Sequence, residues 1–264
     1  RKQSVVAKQV ELVASELLDE HMSDADKVLA INAYLCDTVD YDERYAKLQT
    51  SDEGTGDVNK QTDSEMNGEY NGKANDTADS STAYGALINH KGICGAYAES
   101  FKLLADEMEL PCIVVTGTLN GTEKHVWNKV KIDGHWCVVD VTTNDREDMG
   151  NIALNISDDV ADHMLTGDDR YMYGDNYEQY KADTEIYEYY HMNGSYYSVQ
   201  KIADAFAQEL TVSKQAVLRT EPELDNAGFQ KIVHEVMEQM GDVKLKGYYR
   251  LGVVYLERVS DDRY

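Results

Sequence analysis

The chain has 264 residues, 42% of them hydrophobic, which is enough for a real core arranged as one large domain or two smaller ones. Its 49 acidic residues against 25 basic ones leave a net charge of −24 and a pI near 4.5; this argues against nucleic acid, whose phosphates need clustered Lys and Arg, and leaves cationic substrates or plain solubility as its reason. The four cysteines do not make a disulfide framework, and no apolar run reaches the roughly eighteen residues that a membrane-spanning helix needs.

Residues 3–20 and 24–38 read as two amphipathic helices, with Ser23 capping the second and Asp24 and Asp26 in its first turn; Cys36 lies on this helix. Because the chain starts at Arg1 instead of methionine, a signal or lipoprotein anchor is expected to have preceded it. Residues 51–80 hold eight acidic residues, two lysines and no Leu, Ile or Phe. Such a stretch cannot bury a core and reads as a mobile insertion, disordered or serving as a lid or prosegment before the next helix.

That helix begins in GICGAYAESFKLLADEMEL. Tyr97, Phe101, Leu104 and Met108 are spaced four, three and four residues apart, the helical period, so Cys94 falls in the first turn. Free backbone N–H groups and the positive end of the helix dipole favour a thiolate there, and Gly92 and Gly95 allow a ligand backbone to come close. A cysteine taken alone is usually a small buried hydrophobe. Tyr84, just upstream in STAYGAL, is either a hydrogen-bond donor for an oxyanion or a ring packed at the approach to the helix.

A strand over 113–119 leads to two runs rich in Val, Ile and Trp, 124–132 and 135–142, separated by Asp133-Gly134. Asp-Gly between such runs predicts a two-residue hairpin. Ile132 then faces His135, Trp127 faces Asp140 and Thr142 faces His125. Alternation puts His125, Trp127, Trp136, Val138 and Asp140 on one face, and Val126, Val130, Ile132, Cys137, Val139 and Val141 on a core face. His125 and Asp140 become diagonal neighbours about 7 Å apart, within side-chain reach. A carboxylate so placed fixes the tautomer of an imidazole whose other nitrogen faces a thiol, unless the pair makes only ordinary hydrogen bonds in a half-buried hairpin. A register slip of one residue separates them.

GICGAYAESFKLLADEMELPCIVVTG, KHVWNKVKIDGHWCVVDVT and the intervals between them resemble the transglutaminase-like superfamily, nearest to its bacterial, cytokinesis-type branch. DADKVLAINAYLCDTVDYDERY resembles the helical lead-in of that branch, and the likeness covers residues 20–48 and 80–145. It implies an α+β fold: a papain-like core with N-terminal helices, a nucleophile helix packed on an antiparallel sheet, and a small C-terminal α+β lobe. It implies Cys94 as nucleophile, His125 as general base and Asp140 as its orienting acid, with Tyr84 and Trp127 as oxyanion or substrate candidates. Trp127 matches the aromatic two residues after the histidine. Gly95-Ala96 departs from the Gln-Gly that many relatives carry after the cysteine. The implied chemistry is a thioester formed at Cys94 with a protein or peptide amide of cell-wall association, resolved by water more than by an amine. A non-catalytic binding module of the cell envelope is the alternative. The implied setting is the outside or surface of a Gram-positive bacterium.

Residues 150–200 resemble the family only loosely, and His163, where relatives commonly carry a histidine, reads as structural. Nine of the nineteen tyrosines fall in 171–197, as half-buried rings at the core edge or as a stacking surface for a ligand. The C-terminal region predicts a helix over 199–209 capped by Ser198, a strand over 212–219, a helix over 226–240 and a strand over 246–259. The expected organisation is a lead-in over 1–50, the acidic insertion over 51–80, a catalytic core over 81–197 and an α+β module over 198–264. No HExxH, paired CxxC, calcium loop or glycine-rich phosphate cradle occurs, so neither metal nor nucleotide cofactor is implied.

Overall fold

Two helices open the chain, α1 (Lys2–Leu17) and α2 (Asp24–Thr38), and Ser23 starts the second with a reciprocal cap. Its hydroxyl accepts from the Asp26 N–H at 3.1 Å while the Asp26 carboxylate accepts from the Ser23 N–H at 3.0 Å. Val28, Ile31 and Leu35 form the buried stripe of α2. The computed structural model describes residues 1–51, 79–168, 178–241 and 243–259. The acidic insertion expected over 51–80 therefore lies almost wholly outside the described residues, as do Tyr171, Tyr173 and Tyr177.

After α2 come β1 (Asp40–Tyr41), α3 (Glu43–Ser51), α4 (Ala83–Asn89), β2 (Lys91–Gly92) and α5 (Cys94–Glu107). β1 and β2 pair in parallel, Tyr41 opposite Gly92, which ties the lead-in to the start of α5. The chain then runs through β3 (Cys112–Leu119), β4 (Glu123–Ile132), β5 (His135–Val139), the short helix α6 (Val141–Asn144), β6 (Leu154–Ile156), α7 (Asp158–Ala161) and β7 (Leu165–Gly167). These strands make an antiparallel sheet of order β6-β5-β4-β3-β7.

The hairpin register is as expected, Ile132 opposite His135, with Asp133 and Gly134 both at positive φ. Its two faces also divide as expected. Val130, Ile132, Cys137 and Val139 pack with Phe101 and Leu104 of α5, while Trp127 and Val138 join Val115 and Ile156 on the other side. The molecule is thus mixed α+β, with a helix that starts at a cysteine laid on an antiparallel sheet.

Three expectations are corrected. β5 ends at Val139, not Thr142, because Asp140 leaves the ladder to cap α6. The last expected strand is a hairpin, β9 (Lys244–Arg250) and β10 (Val253–Val259), which follows α8 (Tyr189–Met192), α9 (Ile202–Val212), β8 (Gln215–Arg219) and α10 (Asn226–Met240). Its turn residues Leu251 and Gly252 both have positive φ, 52° and 77°, and leucine is no signal for that conformation. Ser198 does not cap α9 through its side chain; its carbonyl accepts from Lys201 and Ile202, and the helix starts after Lys201.

β8, β10 and β9 form a second antiparallel sheet covered by α9 and α10, with Phe206, Leu210, Ile232, Val236, Val254 and Leu256 inside. The Arg219 guanidinium joins the two halves. It donates to Glu188 Oε1 at 2.7 Å, to the Ile152 carbonyl at 3.1 Å and to the Leu251 carbonyl at 3.1 Å. Among the described tyrosines of 171–197, Tyr187 and Tyr189 pack on the first core and Tyr190 is buried, with its hydroxyl on the Gly150 carbonyl.

Candidate active site

Cys94 is the first residue of α5 and is partly exposed. Two backbone bonds hold the strand before it: Asp42 N–H to the Gly92 carbonyl at 2.9 Å, and Ile93 N–H to the Ser80 carbonyl at 2.8 Å. A Cβ on Gly92 would stand 2.5 Å from the Ala96 methyl, so only glycine lets β2 run straight into the helix. The Ile93 carbonyl takes the Ala96 N–H at 2.9 Å and the Tyr97 N–H at 3.2 Å, while the N–H groups of Cys94 and Gly95 have no acceptor within their own helix.

His125 stands on β4 opposite Gly117 of β3. A Cβ on Gly117 would collide with the Thr166 carbonyl and stand 2.8 Å from Trp127 Cη2, so the absent side chain makes room for the indole. Trp127 in turn stacks on the His125 ring, with centroids 6.1 Å apart and planes 23° apart. With only 4% of its surface exposed, Trp127 braces the imidazole from within the core and offers no face to a substrate.

His125 Nε2 lies 2.8 Å from Asp140 Oδ2. The two meet by a route that the hairpin register alone did not predict. The β4–β5 ladder stops at Asn128 opposite Val139, so Asp140 never faces Trp127 and Thr142 never faces His125. Asp140 instead turns off the sheet as the N-cap of α6, accepting from Thr143 N–H at 3.3 Å and Thr143 Oγ1 at 2.5 Å. The turn is itself pinned. Asn32 of α2 accepts from Asn144 Nδ2 at 2.8 Å, Asn144 Oδ1 accepts from Ala153 N–H at 2.7 Å, and the Ala153 carbonyl accepts from Asp140 N–H at 3.0 Å.

Asp140 is fully buried and His125 nearly so. Burial alone would lower the affinity of the ring for a proton, but the Asp140 charge and hydrogen bond, and then Cys94, outweigh it and raise His125 to about 10. Asp140 occupies Nε2, which leaves Nδ1 as the other nitrogen of the ring. The structure therefore pairs His125 with Asp140, and Cys94 is among the groups whose influence reaches the ring.

It does not bring Tyr84 to them. That ring lies under Lys2, whose Nζ is 4.9 Å from its centroid, and lines the groove between α1 and α5. His163 also stands apart from the three, 3.7 Å from Glu223. The residue that sequence reasoning missed is Tyr41. Its phenol is raised by burial and then by the charges of Cys94, Glu123 and Asp140, and its strand pairs it with Gly92, two residues before the thiol. The available signal was its position in VDYDERY just after the second helix, but nothing local tells that this tyrosine is carried to Gly92 by a two-residue parallel bridge.

The other cysteines are free: Cys36, Cys112 and Cys137 are each pushed up to about 12, chiefly by burial. Among the described residues, no group of three or more His, Cys, Asp or Glu could hold a metal ion, and no helix is long and apolar enough to cross a membrane.

Residues 60–141 match the family model of the transglutaminase-like superfamily. The matched stretch runs from the segment before α4 through Cys94 and His125 to one residue past Asp140. Two solved structures are similar. One is described as a crystal structure of a TGase, 19% identical over 53% of this chain with a TM-score of 0.35. The other is a putative cysteine protease from Cytophaga hutchinsonii, 21% identical over 52% of this chain with a TM-score of 0.34. This chain spans 31% and 37% of their respective lengths. No curated protein matches it in sequence.

Proposed function

We propose that this protein is a cofactor-free cysteine enzyme that forms a thioester at Cys94 with protein or peptide amides and releases the acyl group to water. The observation that carries this reading is the imidazole of His125, fixed at 2.8 Å by a fully buried Asp140, with the thiol at the start of α5 among the groups that raise the ring. A ring held in its protonated form keeps the proton of the thiol and leaves a nucleophilic sulfur beside it.

In the reaction, Cys94 Sγ attacks the amide carbonyl carbon. The oxygen gains negative charge and is met by first-turn N–H groups of α5, with Tyr41 replacing Tyr84 as the side-chain donor at the same opening. As the tetrahedral adduct collapses, the C–N bond breaks and His125 gives its proton to the departing amine. Water, deprotonated by the now neutral ring, then attacks the thioester and frees the acid and the thiol. Water is favoured over a lysine amine because this is what the resemblance to bacterial members implies, and the same resemblance supports a site of action at the surface of a Gram-positive cell.

The test has two arms: the rate of Cys94 alkylation by iodoacetamide at neutral pH, and, on unmodified protein, incubation with a peptide library and a labelled amine. Alkylation faster than that of a free peptide thiol, with cleaved peptides and little incorporated label, is the expected result. Label incorporation would replace hydrolysis by amine transfer. A Cys94 no more reactive than a free peptide thiol would retire the enzyme in favour of a binding module.

A further inference from the structure

The second half of the molecule carries a cavity that the thiol chemistry does not use. Along β10 the side chains alternate: Val254 and Leu256 join the core under α9 and α10, while Val253 and Tyr255 pack towards Met149 and Ile152. The next position on the helix-covered face is Arg258, where this alternation calls for another apolar residue. Its partner on β9 is Leu245, which packs on the core of that face.

Arg258 is half-buried, and its Nε is buried with no hydrogen-bond partner. The residue before it is served in the opposite way. Glu257 meets Lys214 Nζ at 2.9 Å and Lys246 Nζ at 2.8 Å, and accepts from the Tyr255 hydroxyl at 2.8 Å. Two cations thus attend one carboxylate, while among the described residues no carboxylate pairs with the guanidinium beside it. In a chain with 49 acidic and 25 basic residues this is the exception to explain, because a buried donor without an acceptor has lost its water for nothing.

Arg258 lines a cavity of about 580 Å³ between α9, α10 and the end of β10, within the roughly 300–1,000 Å³ of small-molecule sites. Gln208, Thr211 and Gln239 give its wall polar groups, and Met240 and Val243 give it apolar ones. Among the described lining residues the one carboxylate is Asp204, which accepts from Gln239 Nε2 at 2.8 Å and forms no ion pair with Arg258. The Thr211 hydroxyl donates to the Ala207 carbonyl at 2.7 Å.

A guanidinium offers its N–H groups as a planar fork, and a planar carboxylate is the matching anion. Asp204 in the same wall and a net charge of −24 oppose a doubly charged phosphate, so a single negative charge suits the cavity best. We infer that this cavity binds a small polar monocarboxylate, held at its carboxylate by Arg258 and at its other polar groups by Gln208 and Gln239. The site goes beyond the thiol-enzyme reading and does not rest on it. The carboxylate could belong to a free small acid or to the end of a peptide chain, and the same guanidinium recognises both.

The probes are N-acetylglycine, its primary amide and acetylated tetraglycine acid, each titrated while the backbone amide signals of α9, α10 and β10 are followed by NMR. N-acetylglycine is expected to shift the signals around Thr211, Met240 and Arg258, and its amide is not. Acetylated tetraglycine that binds equally well assigns a chain end, and one that is excluded assigns a free small acid. Arg258→Met should weaken N-acetylglycine about tenfold or more, Arg258→Lys should keep part of the affinity, and Lys231→Gln on the exposed face of α10 should change nothing. Equal responses to acid and amide, no response to either, or full affinity in Arg258→Met overturns the inference.

A measurement without any probe separates binding from support. Methionine at 258 suits the helix-covered face and needs no acceptor, so the denaturation midpoint of Arg258→Met is expected to equal or exceed that of wild type. A clearly lower midpoint would make the guanidinium a prop of the lobe and overturn the site. None of these readouts involves Cys94, so an inert thiol and an absent carboxylate site give different results.

Discussion

Two buried ion pairs stand in this molecule at almost the same separation, His125 with Asp140 at 2.8 Å and Arg219 with Glu188 at 2.7 Å. Each joins distant parts of the chain. The Arg219 pair is closed on itself: the guanidinium also donates to two carbonyls, and Glu188 caps α8 by accepting from the His191 N–H at 2.9 Å. The His125 pair is closed on one side only. Asp140 accepts from Thr143 and meets the imidazole through Nε2, whereas no partner of the ring's other nitrogen is seen among the described residues, and the partly exposed Cys94 is among the groups that raise the ring. Equal length and equal burial therefore do not mean equal role. A guanidinium held by a carboxylate and two carbonyls is a clamp, and a pair with one ring nitrogen left over is equipped for proton transfer.

The largest expected effect breaks the clamp. Arg219→Ala strands Glu188 without its cation and should cost about 3–5 kcal/mol in denaturant unfolding, whereas the joint replacement Arg219→Met with Glu188→Leu should recover most of that loss. A single-variant cost below about 1 kcal/mol would mean that this pair is not the clamp described. The other pair should fail differently. His125→Ala is expected to slow Cys94 alkylation at neutral pH by about tenfold or more, because an unassisted thiol is only a few per cent thiolate there. Its unfolding midpoint should shift less than that of Arg219→Ala; equal shifts would erase the contrast.

The smallest effect is a pH dependence. The folded-state proton affinity of His125 is raised from 6.5 to about 10, so the folded protein holds that proton when the unfolded chain has released it. The stabilisation is complete below about 6.5 and is lost as pH climbs through about 10. The stability advantage of wild type over His125→Gln should therefore shrink steadily across that interval, as followed by thermal melts in matched buffers. An advantage that grows with pH would mean that the pair is neutral, not charged.

Local pattern carried much of the candidate site. The four-three-four spacing after Cys94 predicts a helix that begins at the thiol, and Asp133-Gly134 between β-rich runs sets a register in which His125 and Trp127 share a face. Ser23 announces α2 by a contact within three residues. These features were legible because each depends on neighbours a few positions away.

What only the tertiary structure decided are the meetings across long stretches of chain. Asp140 reaches His125 as a helix cap and not as a strand neighbour, because Asn32, more than a hundred residues upstream, holds Asn144 and with it the turn. Tyr41 is set opposite Gly92 by a parallel bridge, Tyr84 is drawn off to Lys2, and Leu251 reaches the Trp127 cluster on a hairpin whose Leu-Gly turn has no strong signal in the sequence. Periodicity tells which side of an element is apolar, but the partner of a polar side chain is chosen by packing of whole elements, and one sequence window contains only one of the two partners.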